Sequence, residues 1–392
     1  MITIPKLQEL KDQIIADLEN EFNISIPLFG KNFLRVLASV QAAKLKIIYL
    51  AIGVLQKNIF IDTADPESIG GTLERFGRIK LGRNPFAATA GEYLVDVTGT
   101  VSAVIDANTT FKSNDDSASP GKLFVLDADY TLLGVGDQIT LRALEPGVES
   151  KLQVADQLTA TSPIANVNQI VTVDSETTQP LAGETIEVYR TKGIDAYQLE
   201  AQGGAGTDYR LWSLDAQGVL RTFPYAKSGA ANEINHYVEA TIVDSSDGKG
   251  TPTAAILTAV EDVVEFDPDI TRPLNERGRR PLAVFQVNFL AITPLDVDIE
   301  IDAYVGSTPA IETLIINGLT AFINKIRPFV SSSDVLANKN DILDINGIIS
   351  EILEAQPGSS FGTVTLKVSS ISVLTHTFEN GDIPFVDTII FT

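Results

Sequence analysis

The chain has 392 residues, with 51 acidic against 29 basic side chains, a net charge of −22, two histidines and no cysteine. That length exceeds what one core organises and suggests two to four domains, and a hydrophobic content of 44% is enough for most of it to fold. The acidic balance gives no field to gather phosphates, which argues against nucleic acid or an anionic membrane, and without cysteine there is no disulfide, thiolate metal site or thiol nucleophile.

The expected fold class is α+β and multidomain. A helical arm (1–58) precedes a β-rich middle domain with a helical corner (59–190), an α+β domain (191–304) and a C-terminal α+β domain (305–392). In the arm, Ile4, Leu7, Leu10, Ile14 and Leu18 form one apolar stripe at helical spacing. No apolar core of a secretory signal is apparent at the N-terminus. Pro27 and Gly30 break the pattern. A second helix carries Phe33, Leu34, Leu37, Val40, Leu45, Ile48, Leu50, Ile52 and Leu55, and so is apolar on more than one side. Arg35, Lys44 and Lys46 inside it disfavour membrane insertion. Such a helix must be covered on several faces, either by the β domain or by an intermolecular helical bundle. Leu34, Leu37, Leu45, Ile48 and Ile52 are its candidate interface residues.

The arm hands over to β structure between Ile59 and Gly99. Pro66 can open a short helix over Glu67 to Phe76 with Asp65 as its cap, and Gly77 is placed to end it. Tyr93, Val95 and Val97 then alternate with polar neighbours as a strand. Further strands are expected at Thr100–Ile105, Leu123–Leu126, Gln138–Ala143 and Thr185–Tyr189, between turn clusters. The run Gly203 to Gly206 breaks structure. A helix with Thr207 as cap then places Tyr209 and Trp212 on one face, and Ile194–Gln202 could supply a helix before it. Next come a strand (Ile234–Val243), a loop (Asp244–Gly250) and a helix capped by Thr251 with Pro252 at its first position. Strands follow at Val284–Leu290 and after Pro294. At the C-terminal end, Pro309 starts a helix through Ile326, and Asn340 or Asp341 caps another over Ile345 to Leu353. Thr363–Val368 and Thr388–Phe391 read as strands.

Little in the sequence points to catalysis. Gly248-Lys249-Gly250-Thr251 lacks phosphate-loop spacing, and the glycines at 203–206 lack the dinucleotide fingerprint. His236 and His376 have no partner at a metal-binding spacing, and no nucleophile elbow occurs. No catalytic, cofactor or metal residues are assigned, and no enzyme activity is expected. Asp296, Asp298, Glu300 and Asp302 alternate on one strand face roughly 6–7 Å apart, as a solvated face, an acidic docking strip or a Ca²⁺ site would. Arg272, Arg277, Arg279 and Arg280 form the main basic cluster, either as candidates to pair with acids of a neighbouring subunit or as plain surface charge.

Several of these segments carry a resemblance. Asp62-Thr63-Ala64, Phe76-Gly77, Arg83, Ala90-Gly91 and Val97-Thr98-Gly99 are similar to the corner of the baseplate J-like family, the wedge proteins of contractile phage tails and related injection machines. Ala143, Gly147, Leu158, Pro163, Ile164 and Val167 fit its strand and P-I-x-G-V segments, with Asn166 where glycine is common. At 104–109 its usual proline and glycine are replaced by Asp106 and Asn108. The run Gly206 to Val219 resembles its Y-x-x-W element, Arg272-Pro273-Leu274 its Arg-Pro-Leu signature, and the tail from Phe378 to Phe391 its closing strand. The resemblance covers about residues 59–392 and is strongest at 59–99, 203–225 and 234–304. It implies a structural wedge subunit in the tail baseplate of a virion, assembled in host cytoplasm. Its implied partners are other wedge proteins, neighbouring wedge copies, the sheath initiator and the central hub in a six-fold hetero-oligomer that relays the trigger for sheath contraction. The alternatives are a tail-associated polysaccharide-cleaving enzyme and a receptor-binding protein. Removing single carboxylates would abolish turnover only in the enzyme.

Overall fold

A computed structural model describes residues 3–27, 33–134, 136–198, 203–331 and 333–392. The chain is α+β and multidomain, with eight α-helices and seventeen strands among the described residues. It divides into two compact units, Met1–Asn84 with Ile186–Tyr197, and Pro85–Thr185 with Gln198–Thr392. The expected break at Gly30 and the helical continuation over 199–202 lie outside the described residues.

The first unit is helical. α1 (Leu7–Phe22) begins with the Glu9 carboxylate accepting from the Lys6 N–H at 2.9 Å and ends at Asn23, which takes the left-handed conformation. α2 (Phe33–Lys57) packs back along it: Ile14, Ile15, Leu18 and Ile26 meet Leu34 and Ala38, while Lys46 donates to the Pro5 carbonyl at 2.7 Å. The small residues Ala38 and Ala42 of α2 are fully buried, and a Cβ at Gly53 would meet Ile4, ahead of α1, at 3.3 Å. The corner differs from expectation. Gly70, at a φ of 86°, splits the expected helix into a 3-10 turn (Glu67–Ile69) and α3 (Leu73–Lys80). Gly77 therefore lies inside α3 instead of ending it. Its role is contact, because a Cβ there would sit 1.9 Å from the Tyr189 hydroxyl.

The segment expected as a strand at Thr185–Tyr189 is helical instead, within α4 (Ile186–Gln198). Tertiary partners decide it. Tyr189 is fully buried among Ala64, Leu73 and Phe76 and donates to the Arg83 carbonyl at 2.7 Å. Arg190 donates to the carbonyls of Ile61 and Ala64.

The second unit opens with β1 (Glu92–Val97), β2 (Val104–Ile105), β3 (Thr110–Ser113), β4 (Leu123–Leu126), β5 (Tyr130–Thr131), β6 (Asp137–Ala143), β7 (Gln157–Ala160) and β8 (Ile170–Thr178). Six of them close an antiparallel barrel in the order β1-β6-β4-β3-β7-β8, while β2 and β5 pair separately. Tyr93 faces Leu141 and Val95 faces Ile139 and Val173, so the alternation read from the sequence points into the barrel. The expected strand over Thr100–Ile105 shrinks to β2 because Ser102 sits at positive φ. β7 and β8 complete the closure beyond the expected segments.

α5 (Gly206–Ser213), β9 (Val219–Ala226), β10 (Glu233–Ala240), α6 (Ala254–Glu265) and β11 (Gln286–Ala291) follow. The sheet order is β11-β10-β9, and its core joins Tyr209, Val238, Ile256 and Val260. β10 ends three residues before the expected Val243, where the Thr241 hydroxyl turns the chain by donating to Asp244. Two caps move. Thr253, not Thr251, accepts from the Ile256 N–H, because the Thr251 hydroxyl is taken by Asp247 at 2.6 Å. α5 is capped at Ala205, not Thr207, with Asp208 reaching back to the Ala205 N–H.

The last part holds β12 (Thr293–Ile301), α7 (Pro309–Ile323), β13 (Ile342–Asp344), α8 (Ile345–Ala355), β14 (Val364–Val368), β15 (Ile371–Val373), β16 (Thr375–Thr377) and β17 (Asp382–Phe391). A sheet ordered β15-β14-β12-β17 buries Val297, Ile299 and Ile301 against Ile315, Leu319 and Ile352 of the two helices. Pro309 opens α7 as expected, with Thr308 as a cap accepting from the Ile311 N–H, and the helix ends at Ile323, three residues before the expected Ile326. α8 is capped by Asp344, not Asn340 or Asp341, since β13 intervenes.

Candidate functional site

α2 presents the largest run of uncovered apolar side chains on one helix. Phe33, Val36, Val40, Ile47, Leu50 and Val54 are all exposed, Phe33 at 76% and Ile47 at 66%. With exposed Ala43 they recur at alternating spacings of three and four residues along one face. Leu45, Ile48, Ile52 and Leu55 are exposed on an adjacent face of the C-terminal half. Of the residues singled out from sequence, Leu45, Ile48 and Ile52 are therefore uncovered. Leu34 packs against α1, and Leu37 is half-buried. Val36, Ile47 and Val54 were not among them; the three-and-four spacing of the whole set was the signal that could have found them.

The charges of this arm are segregated. α2 carries Arg35, Lys44, Lys46 and Lys57 and no acid, while α1 carries Glu9, Asp12, Asp17, Glu19 and Glu21 against Lys11. By length and composition α2 is also the one described helix apolar enough to cross a membrane, with Lys44 and Lys46 near its middle.

The arginine cluster is engaged within its own unit. Arg279 bonds Asp215 at 2.9 Å and approaches Asp267 at 3.5 Å, and both members of the first pair are mostly buried. Arg272 pairs with Asp267 at 2.5 Å and with Asp269, Arg280 lies 3.3 Å from Glu265, and Arg277 donates to the Asp267 carbonyl. Exposed Ile270, Leu274, Leu282 and Phe285 accompany them on the segment between α6 and β11. The acidic strip behaves as the outer face of β12. Asp296 pairs with Lys249 at 2.5 Å, Asp298 accepts from Thr388 and Glu300 lies 3.7 Å from Lys367.

His236 and Glu239 are among the titratable groups buried in the second unit. His236 is fully buried; its Nε2 meets the Ser213 hydroxyl at 2.8 Å, that hydroxyl donates to the Tyr209 carbonyl, and burial pushes the imidazole down to about 3. Glu239, raised by desolvation, lies 3.8 Å from Arg327, which burial lowers to about 10. The serine–histidine contact has no exposed atom on either residue, so it cannot meet a substrate as folded. His376 stacks edge-on against Phe378. No group of three or more acidic or histidine side chains is arranged to hold a metal among the described residues.

No family model matches the chain, and no curated protein does either. Among solved structures it is similar to a chain of "Cryo-EM structure of the anti-feeding prophage (AFP) baseplate, 6-fold symmetrised", at a TM-score of 0.39 and 10% identity over 99% of this chain and 100% of that one. A likeness at that level identifies neither a family nor a role.

Proposed function

We propose that this chain is a structural, non-enzymatic baseplate wedge subunit of a contractile phage tail or related injection machine. Its helical arm joins a bundle with other wedge proteins, and its second unit contacts neighbouring wedge copies, the sheath initiator and the central hub in a six-fold ring that relays the trigger for contraction. The observation that carries the reading is the uncovered apolar surface of α2, because a chain that worked alone would leave that surface in water. The motif resemblance over the corner, the Y-x-x-W element and the Arg-Pro-Leu segment supports it from sequence. The strong negative charge suits a subunit that must stay soluble before it meets its partners.

The test is electron microscopy of particles recovered through a tag on this chain from cells that produce it. Six-fold baseplates or contractile tails containing the chain are expected. A lone monomer free of tail proteins would overturn the reading.

A further inference from the structure

Charge is unevenly shared between the two units. Met1–Asn84 with Ile186–Tyr197 holds 13 basic against 11 acidic side chains, whereas Pro85–Thr185 with Gln198–Thr392 holds 16 against 40. The second unit therefore carries the whole negative balance, and the first is slightly positive. That positive character reaches the surface at α3. Arg75, Arg78, Ile79 and Lys80 are exposed, Ile79 at 74%, and Ile69 is equally bare on the 3-10 turn before them. Glu67 is shared between two of the cations: it pairs with Arg78 and lies 3.7 Å from Arg75. Lys80 meets no carboxylate among the described residues, and its ammonium sits 4.7 Å from the centre of the Tyr197 ring.

Cations around an apolar centre are matched by carboxylates around an apolar centre. The second unit presents such a surface where β2 and β5 pair. Ser102 donates to the Leu132 carbonyl and Gly134 lies against Val101, so exposed Val101 and Leu133 come together at one end of this ribbon. Ile105 faces Tyr130, which puts exposed Asp106 and Asp129 side by side at the other end, with the Ala107 N–H donating to Asp129 at 2.7 Å. Residues 85–185, which contain the ribbon, have 4 basic against 14 acidic side chains, so most of these carboxylates have no cation in their own segment. Resting on the wedge role proposed for this chain, we infer that the α3 face of one copy docks on the β2–β5 ribbon of the next copy. The two surfaces differ, so the contact is head-to-tail. A head-to-tail contact can repeat around a closed ring, whereas a like-to-like contact stops at a dimer. Attraction between a mildly positive unit and a strongly negative one also speeds the encounter of copies and weakens with salt.

A carbodiimide, which joins lysine to carboxylate without a spacer, reads this contact directly on the full-length chain. Isotope-labelled and unlabelled chains are mixed at high micromolar concentration, so that joins between copies are told from joins within one. The expected product links Lys80 of one copy to Asp106 or Asp129 of the other. It should be lost at about 1 M salt, where the Debye length is about 3 Å. Arg75→Glu should lower its yield about tenfold by placing like charges together. Mixing that variant with Asp106→Arg chains should restore the product through Asp129, a rescue that a misfolded variant could not give. Joins confined to single chains, or joins from Lys80 to other carboxylates of the second copy, would overturn the inference. So would cosedimentation with phosphatidylglycerol vesicles or duplex DNA that Arg75→Glu abolishes, because the patch would then serve phosphates. The wedge reading fails separately: this join in a chain that never enters six-fold particles breaks only that reading, and six-fold particles that lack it break only this one.

Discussion

The barrel and the α1–α2 hairpin treat apolar side chains in opposite ways. The barrel closes on itself, so Tyr93, Phe111, Phe124 and Leu141 have no exposed surface and no strand edge is left open. The hairpin covers one face of α2 and leaves much of the rest bare, although α2 carries apolar side chains on more than one side. Hydrophobic composition alone therefore does not define a core. Closure does, and where closure is missing the same side chains become a demand for a partner. If this contrast is right, truncation should cost fold stability in the barrel and association in the hairpin.

The largest effect on folding is expected from Phe124→Ala. Its ring is fully buried and meets the Tyr93 ring edge-on at 5.8 Å, so its removal leaves a cavity and should cost about 3–5 kcal/mol. Urea unfolding followed by circular dichroism measures it. A loss below about 1 kcal/mol would mean that the barrel core is plastic and the contrast with α2 false.

The next effect is a pH dependence. The folded pKa of His236 is lowered to about 3 from an ordinary 6.5, so the folded state disfavours the proton that the unfolded chain takes up. The stability this represents is fully present above pH 6.5 and is lost progressively as pH falls toward 3, at about 1.4 kcal/mol per pH unit and so about 3 kcal/mol by pH 4.5 from this residue. Unfolding midpoints at pH 7.5, 5.5 and 4.5 should fall for the native chain and fall less for His236→Gln. Equal slopes would show that carboxylates alone set the acid response.

How far the sequence disclosed these regions depended on where the deciding contacts lay. The alternation of Tyr93, Val95 and Val97, the helix start at Pro309 and the apolar excess of α2 are local patterns, and they survive in the structure. Misread segments depended on distant residues. The four residues from Ile186 to Tyr189 alternate like a strand, but Tyr189 is held by Arg83, more than a hundred positions away. Thr251 looks like a helix cap until its hydroxyl is seen on Asp247. Pairing of Arg272 with Asp267 and Asp269 was within reach of sequence spacing, whereas Arg279 with Asp215 was not. The exposed surface of α2 was half legible: its apolarity was plain, but which face α1 occupies is decided by tertiary packing of Ile14, Ile15 and Leu18 on Leu34 and Ala38.

The corner of the first unit tests whether tightness there is local. A Cβ at Gly77 would overlap the Tyr189 hydroxyl at 1.9 Å, and neither side chain lies on the exposed face of α2. Gly77→Ala should destabilise the first unit by about 2 kcal/mol through overpacking. Hydrogen exchange localises the effect, with faster exchange in α3 and α4 and unchanged exchange in the barrel strands. Slowed exchange would mean that the added methyl is accommodated and the helix propensity of alanine dominates.

The smallest folding effect separates the two regions most sharply. Ile48 is 53% exposed on α2, flanked by exposed Leu45 and Ile52. Replacing it by serine removes little packing within the chain, so unfolding free energy should change by less than about 1 kcal/mol. If this face is covered in an assembly, the same change should reduce incorporation of the chain into tag-recovered particles, because each apolar side chain taken from water there contributes roughly 1.5–3 kcal/mol. The pairing of a silent effect on the free chain with a loss in the particle is what a surface built for a partner requires. A loss of stability comparable to that of Phe124→Ala would instead mean that the free chain already covers this face in solution, and that α2 belongs to a core after all.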